Sequence, residues 1–454
     1  MKKVISTAMA LLLLLAVPAA AAEATPAQTA QAVSETTTLF QLPMELSAVL
    51  KPEDDMRKAQ ILYSKIEAGL EALTGLDGKA YIDLSGCALS GVDGGADAAL
   101  LDRVYSLVYF NHPEFCYATG GYVTVCESGV GEPVLGVRPE YNAFAKQPGA
   151  VETFRAAADE IYSRVKDISD PVECMLAVYD ALAVRNVYNW QVGTGRRGSA
   201  PPEAWNAYSA LVTGDTVCKG YAMAYRLLLN RCGIPCIAVG SPKMNHIWNI
   251  VLLDGQCYHV DVNCSNFDLP SLPGRSIHSR FLLSDETIRE KYGFHGWTAF
   301  GPMGWNVAAP ACTSKQYEAG WAFNGTELPL YRWDGNYFYL QKAEKWILFQ
   351  GGLSGAGTAV AALPLYSRGG KLASGIVWAG GCLYYIDEST NLVCCTLGDG
   401  QRRVLGHIPF TAQPSPDGAY PAELDGIGLR YAPGEIRAVS RTRRNGLAVF
   451  PLSE

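Results

Sequence analysis

The stretch TVCKGYAMAYRLLLN, residues 216–230, predicts a helix with a cysteine in its first turn. One face of that helix carries, at spacings of three and four residues, Cys218, Ala222, Tyr225 and Leu229. Thr216 or Asp215 is the expected N-cap, because a short polar side chain there accepts from free backbone N–H groups. Those N–H groups and the helix dipole favour a thiolate in the first turn. Small residues at positions 220 and 222 keep this face thin, so that another group can approach the sulfur closely.

The segment HIWNIVLLDGQCYHVDV, residues 246–262, predicts a β-hairpin. Asp254-Gly255 separates two apolar runs, and this dipeptide is typical of a two-residue turn. With that turn, paired positions sum to 509, so Trp248 opposes Asp261 and His246 lies diagonally from Asp261 on the same face. A shift of one residue would place His246 and Asp261 on opposite faces. The turn therefore predicts a His–Asp couple, in which the carboxylate fixes the tautomer of the imidazole.

Cys218, His246 and Asp261 follow the order of the Cys-His-Asp variant of the nucleophile–base–orienter triad. Around them, YSALVTGDTVCKGYAMAYRLLLNRCGIPCIAVGS and HIWNIVLLDGQCYHVDV resemble the core of the transglutaminase-like superfamily, in its bacterial exported branch. The upstream stretch NHPEFCYATGGYVTV, residues 111–125, is similar to the region that precedes this core in such proteins. The likeness covers about residues 100–300 and implies Cys218 as nucleophile, His246 as base and Asp261 as orienter.

The resemblance also implies roles for residues around the triad. Trp248 and Asn249 match the aromatic-Asn pair that follows the histidine in the family. Tyr208, ten residues before the cysteine, is implied to help form the oxyanion site beside the Cys218 amide. The sequence departs from the family after the aspartate, where Cys264 stands in place of an aromatic residue that is often found there. The implied chemistry requires no metal and no organic cofactor.

The predicted fold class is α+β, with a papain- or transglutaminase-like core in which the nucleophile helix packs on an antiparallel sheet. Apolar residues at helical spacing predict helices over 54–73, 98–110, 151–166 and 170–185. Apolar runs predict strands over 235–240, 246–253 and 256–262. An N-terminal α/β extension precedes the core. The predicted boundaries are a flexible lead-in at 23–45, an N-terminal α+β region at 46–150 and the core at 151–310.

A β-rich C-terminal domain is predicted for residues 320–454. Here WDGNYFY (333–339) and WAGGCLY (378–384) share the pattern W-x-G-x-x-Φ-Y, in which Φ is apolar, at a distance of 45 residues. That period is compatible with propeller blades, but two or three copies do not close a propeller. We expect a separate antiparallel β-domain, whose tryptophans and tyrosines form its core rather than a sugar-binding platform.

The first 22 residues, MKKVISTAMALLLLLAVPAAAA, have the charged, apolar and small-residue parts of a secretory signal peptide. We therefore expect a secreted, extracytoplasmic protein. After this segment the sequence offers no run of roughly 18 uncharged apolar residues, so no membrane-spanning helix is predicted. The formal net charge of −7 argues against nucleic acid as a partner. The thirteen cysteines are odd in number, which excludes a fully paired disulfide set, and most are expected to be buried free thiols.

The triad and the resemblance predict acyl transfer through a thioester at Cys218. The expected substrate is a peptide or protein, such as a cell-wall peptide, and hydrolysis by a peptidase or amidase is favoured over other outcomes. Transfer to a lysine amine would instead make the protein a crosslinking transglutaminase. A catalytically inactive transglutaminase-like scaffold that binds material at the cell surface is the alternative from another class.

Two other histidine-centred interpretations are weaker. A zinc site from Cys232, Cys236 and His246 would pair its cysteines across a helix end rather than around a tight knuckle. His259 falls on the same strand face as Asp261 and is a candidate pocket residue, although a surface position is favoured for it.

Overall fold

The computed structural model describes residues 39–40, 43–72, 80–89, 96–116, 122–125, 134–137, 149–189, 202–263, 274–323, 326–368, 371–413, 425–440 and 446–452. The predicted signal peptide at 1–22 and most of the predicted lead-in at 23–45 lie outside these residues, as does Cys264. The described part is a mixture of helices and mostly antiparallel sheets, which confirms the predicted α+β class.

Of the six longer helices in the described residues, the first five lie close to their predicted positions, and the sixth was not predicted. They are α1 (Met56–Ala72), α2 (Ala96–Asn111), α3 (Ala150–Val165), α4 (Pro171–Arg185), α5 (Cys218–Arg231) and α6 (Asp285–Tyr292). Shorter helical turns are Leu46–Ala48, Pro113–Phe115, Pro202–Trp205 and the π-turn Ser209–Thr213. Asp170 caps α4, because its Oδ1 accepts from the backbone N–H groups of Val172 at 2.8 Å and Glu173 at 3.0 Å.

Two small sheets precede the nucleophile helix. The first has the order β1 (Ala80–Asp83), β3 (Val134–Val137), β2 (Tyr122–Val125) and is antiparallel. The second is a short parallel pair of β4 (Val187–Tyr188) and β5 (Asp215–Thr216). This pair delivers the chain to the start of α5, two residues before the thiol.

Helix α5 has Cys218 in its first turn as predicted, but the predicted cap is wrong. Its N-cap is Val217, and no side chain caps the helix. The Thr216 hydroxyl points instead toward the preceding segment, where it shares a hydrogen bond of 2.5 Å with Ser209 Oγ and donates to the Ala204 carbonyl at 3.3 Å. The β4–β5 pairing fixes the backbone at Thr216. Its side chain hydrogen-bonds to the segment before the helix and does not cap the free N–H groups of the first turn.

The central sheet has six antiparallel strands. In spatial order they are β11 (Gly304–Val307), β10 (Thr298–Gly301), β6 (Cys236–Ser241), β7 (His246–Leu253), β8 (Gln256–Val260) and β9 (Phe281–Leu283). The β7–β8 hairpin has the predicted register, from Leu253 opposite Gln256 to Asn249 opposite Val260. Its turn residues Asp254 and Gly255 have φ values of 50° and 74°, as a type I′ turn requires.

Helix α5 packs on β6 and β7 with its other side against α4. The space beside Gly220, which was expected to let another group approach the sulfur, is filled by the chain itself. A Cβ at Gly220 would overlap Thr216 Oγ1 and come within 2.8 Å of the Asn206 carbonyl and Ser209 Oγ. The small residue therefore lets the segment that leads into the helix cross it closely.

The C-terminal part consists of successive antiparallel meanders, as the predicted β-rich region requires. Their strands are β12 (Tyr331–Trp333), β13 (Asn336–Lys342), β14 (Trp346–Gly351), β15 (Thr358–Leu363), β16 (Ser367–Arg368), β17 (Lys371–Leu372), β18 (Ile376–Ala379), β19 (Cys382–Ile386), β20 (Asn391–Thr396), β21 (Arg402–His407), β22 (Ile427–Ala432), β23 (Glu435–Ser440) and β24 (Gly446–Pro451). Both copies of W-x-G-x-x-Φ-Y lie at equivalent places, the first hairpin of a four-stranded sheet.

The tail contacts the central part of the molecule. Tyr337 and Tyr339 belong to the same buried cluster as α4 and α5. The backbone N–H of Leu330 donates to Asp180 Oδ2 at 2.8 Å. The domain boundaries at 46–150, 151–310 and 320–454 stay predictions.

Candidate active site

The structure brings Cys218, His246 and Asp261 together. Cys218 opens α5, His246 is the first residue of β7, and Asp261 directly follows β8. The Nε2–H of His246 donates to Asp261 Oδ2 at 3.0 Å, and the Cys218 thiol lies within hydrogen-bonding reach of the same imidazole. Because Nε2 faces the carboxylate, this arrangement assigns Nδ1 to the thiol. All three side chains are at most 5% exposed.

Asp261 decides the charge state of the buried imidazole. Burial lowers the pKa of His246, but the charge of Asp261 and hydrogen bonds with Asp261 and Cys218 outweigh it and raise the pKa to about 9. For Asp261 the effects have the opposite signs. Burial raises the pKa of its carboxyl group, but the charges and hydrogen bonds of His246 and Arg280 outweigh burial, so the net pKa is lowered. At neutral pH the pair is therefore an imidazolium beside a carboxylate.

The Asp261 carboxylate is held by more than the histidine. Its Oδ1 accepts from the backbone N–H of Asn263 at 3.1 Å, and its Oδ2 accepts from Arg280 Nη1 at 3.2 Å as well as from His246. The sequence carries no signal for Arg280, because it lies 19 residues from Asp261 along the chain, just before β9.

Lys219 adds a second charge beside the thiol. It follows Cys218 directly and is half-buried. Burial lowers the pKa of its amine, while the charge of Cys218 acts in the opposite direction. Because Lys219 directly follows Cys218 in the sequence, it could have been proposed as a site residue from the sequence alone.

Trp248 and Asn249 are buried behind the triad. The Trp248 ring is stacked near-parallel to His246, with centroids 5.5 Å apart and an interplanar angle of 17°. The Asn249 amide donates to the Ala222 carbonyl at 3.0 Å and to the Ile237 carbonyl at 3.2 Å, which ties α5 to the sheet. These are contacts within the protein, and the pocket role of both residues stays a prediction.

Tyr208 lies just before the π-turn that leads to the nucleophile helix. It is buried, its ring is near-parallel to Phe154 at 6.3 Å, and its backbone N–H donates to Asn206 Oδ1 at 3.0 Å. The role at an oxyanion site stays a prediction. The first N–H groups of a helix have no intrahelical acceptor and are of the kind that can stabilise an oxyanion.

The expectation of a surface position for His259 is wrong. The residue is fully buried, and its Nδ1 accepts from the indole N–H of Trp248 at 3.0 Å. Its other nitrogen, Nε2, therefore carries the proton and donates to Asp285 Oδ1 at 2.8 Å. Burial lowers the pKa of His259, which keeps it neutral. It is buried because α6 and Trp297 cover this part of the sheet.

One group of metal-ligand residues converges in the described ranges. Single ligand atoms of His259, Asp285 and Cys312 lie within 4.8 Å of one another. Because Nδ1 of His259 is engaged by Trp248, its Nε2 bears a proton and has no lone pair for a metal. The weaker zinc interpretation also fails, since Cys232, Cys236 and His246 do not converge within the same described ranges.

A serine, a histidine and an aspartate also meet away from this site. His278 Nε2 lies 2.5 Å from Asp180 Oδ1 and 3.4 Å from Ser276 Oγ. Both contacts use one ring nitrogen, so the histidine cannot pass a proton between them as a triad does. This buried group is a structural one that connects α4 to the segment before β9.

Within the described residues, no helix is both long and apolar enough to cross a bilayer. Most of the eleven cysteines that the structure describes are buried free thiols, in agreement with the expectation from their number.

Comparisons with known proteins add little. No protein-family model and no curated protein matches the chain. A solved structure described as the crystal structure of a TGase is similar at 12% identity and a TM-score of 0.22, over 48% of this chain and 50% of that chain. The similarity thus spans about half the length of that protein.

Proposed function

We propose that the protein is a secreted, cysteine-dependent acyl-transfer enzyme that acts on peptide or isopeptide amide bonds through a Cys218 thioester. The observation that supports this most is the convergence of Cys218, His246 and Asp261 from three separate elements. The leader-like residues 1–22 support export, and an exported peptidase or amidase has cell-wall peptide within reach as a substrate.

The proposed reaction begins from a thiolate at Cys218 and an imidazolium at His246. The sulfur attacks the carbonyl carbon of the amide, and the oxygen that gains charge accepts from backbone N–H groups at the start of α5. The C–N bond then breaks while His246 gives its Nδ1 proton to the leaving amine. The neutral imidazole next takes a proton from water as the water attacks the thioester, which releases the acid and restores the ion pair.

The acceptor of the acyl group separates two versions of this proposal. Water gives a peptidase or amidase, which we favour, and a lysine amine gives a crosslinking transglutaminase. The inactive scaffold draws support from a specific observation, namely that Cys218 is only 5% exposed.

A direct test is to trap the thioester on the mature protein. The protein is incubated with a panel of peptides and cell-wall peptide fragments, with and without a primary amine, and Cys218 is examined by mass spectrometry after acid quenching. We expect acylation of Cys218 and a hydrolysed or amine-linked product, both lost in Cys218→Ala and kept in Cys395→Ala, a buried cysteine of the tail. Unmodified Cys218 with all substrates, without any product, would support the scaffold instead.

A further inference from the structure

Arg280 contacts the same carboxylate oxygen as the base of the triad. Its Nη1 lies 3.2 Å from Asp261 Oδ2, and His246 Nε2 lies 3.0 Å from that oxygen. The main chains are joined as well, because the Asp261 N–H donates to the Arg280 carbonyl at 2.9 Å. The carboxylate that orients His246 therefore has a second cationic partner, Arg280.

The Arg280 guanidinium is held in place by aromatic rings. Its central carbon lies 5.1 Å from the centre of the Tyr292 ring and 5.2 Å from that of Phe294. Phe294 also meets the His246 ring edge-on at 5.3 Å. Since the side chain is only 11% exposed, water screens its charge poorly.

The charged and titratable groups around this carboxylate come from several elements. His246 of β7 and Arg280, just before β9, act on Asp261 directly. Two residues of α5 act on Asp261 only indirectly. Cys218 interacts with the His246 imidazole, and its neighbour Lys219 interacts with the Cys218 thiol. Among these, Arg280 is the permanent cation, because a guanidinium keeps its proton throughout the pH range of proteins.

We propose that Arg280 is a positioning residue that keeps Asp261 ionised and aimed at His246 Nε2 in acid solution. Protonation of Asp261 would leave both Arg280 and the His246 imidazolium without their counter-charge, so the carboxylate resists acid. While Asp261 stays ionised, its charge and its hydrogen bond hold the His246 imidazolium in place beside Cys218. The inference rests on the proposed function and adds the group that sets its acid limit.

The test follows the rate of Cys218 alkylation by a small haloacetamide between pH 3 and pH 8, with the labelled cysteine identified by mass spectrometry. In Arg280→Gln, we expect the acid limb of the profile to move up by about one pH unit, because an adjacent Arg lowers the pKa of an Asp by about 1–3 units. Arg280→Lys keeps the charge and should restore at least half of that shift. Arg289→Gln is the matched control. Arg289 stacks on Trp297, so this substitution removes a nearby cation without removing a contact to Asp261.

The outcomes separate this inference from the proposed function. An acid limb that moves in Arg280→Gln but not in Arg289→Gln supports it. A profile that is lowered equally at every pH, or a limb that stays in place, would show a merely structural role and overturn it. If Arg280→Gln does not fold, a limb in Arg280→Lys within about half a unit of wild type supports the inference, and a full one-unit shift overturns it. A wild-type profile that rises only near the ordinary thiol pKa of about 8.5 would overturn the proposed function as well.

Discussion

The indole of Trp248 donates its N–H to Nδ1 of His259 at 3.0 Å. The same indole is stacked near-parallel to His246, so it lies between the imidazole of the candidate triad and a second, neutral imidazole. The hydrogen bond fixes the tautomer of His259 and with it the contact to Asp285. His246 is therefore positioned by two neighbours: the Asp261 carboxylate, which accepts its hydrogen bond, and the Trp248 indole, which is itself hydrogen-bonded to His259.

Replacement of Trp248 by Phe tests this support. The ring stacking on His246 is kept, but Nδ1 of His259 becomes a buried acceptor without a donor. We expect the free energy of unfolding to fall by about 1–3 kcal/mol. Denaturant unfolding at pH 7 measures this, with Trp333→Phe, at an exposed tail position, as the control. Equal stability of Trp248→Phe and wild type would contradict the assigned tautomer.

Replacement of Asp261 by Asn breaks two buried contacts at one oxygen. His246 loses its counter-charge and Arg280 is left buried without a carboxylate, which we expect to cost about 3–5 kcal/mol of unfolding free energy. In the double variant Asp261→Asn, Arg280→Met the unpaired cation is absent, so part of that loss should return. Stability measured for the two single variants and the double variant gives the coupling, and purely additive losses would speak against a shared carboxylate.

The raised pKa of His246 makes stability depend on pH. Its pKa of about 9 in the folded protein lies above the ordinary value of 6.5, so its contribution is complete below pH 6.5 and is lost as the pH rises through 9. The difference in unfolding free energy between wild type and His246→Gln should therefore shrink by about 3 kcal/mol between pH 6 and pH 10. A difference that is constant or grows with pH would mean that the imidazole is not charged in the folded state.

Gly220 is predicted to tolerate no side chain. In Gly220→Ala the added methyl group meets Thr216 Oγ1, the Asn206 carbonyl and Ser209 Oγ, so the segment before α5 must move. We expect a loss of about 1–3 kcal/mol in unfolding free energy and slower labelling of Cys218. Gly398→Ala, where a Cβ would meet nothing within 4 Å, is the matched control and should stay within about 0.5 kcal/mol of wild type.

The parts of the site that local sequence signals encode were predictable. Asp254-Gly255 determines the turn, the turn determines the register, and the register brings His246 beside Asp261. Arg280 had no such signal, because its contact depends on how β9 returns to the sheet. His259 looked like a surface residue because burial of a strand face depends on what packs over it, here α6 and Trp297.

The cap of α5 shows the same limit at short range. Thr216 is an ordinary cap candidate by position, yet its hydroxyl lies between Gly220 and the preceding segment and bonds to Ser209. Propensity predicted where the helix begins, and tertiary contacts decided what its first residues bind.

The most direct measurement of the central claim is the rate at which a small haloacetamide alkylates Cys218 at pH 6, in wild type and in His246→Ala. A thiol of ordinary pKa, about 8.5, is only about 0.3% ionised at that pH. If His246 holds the thiolate, wild-type Cys218 should react about 30-fold faster than the variant or more. Equal rates in the two proteins, or labelling of Cys218 that begins only near pH 8.5, would contradict the account.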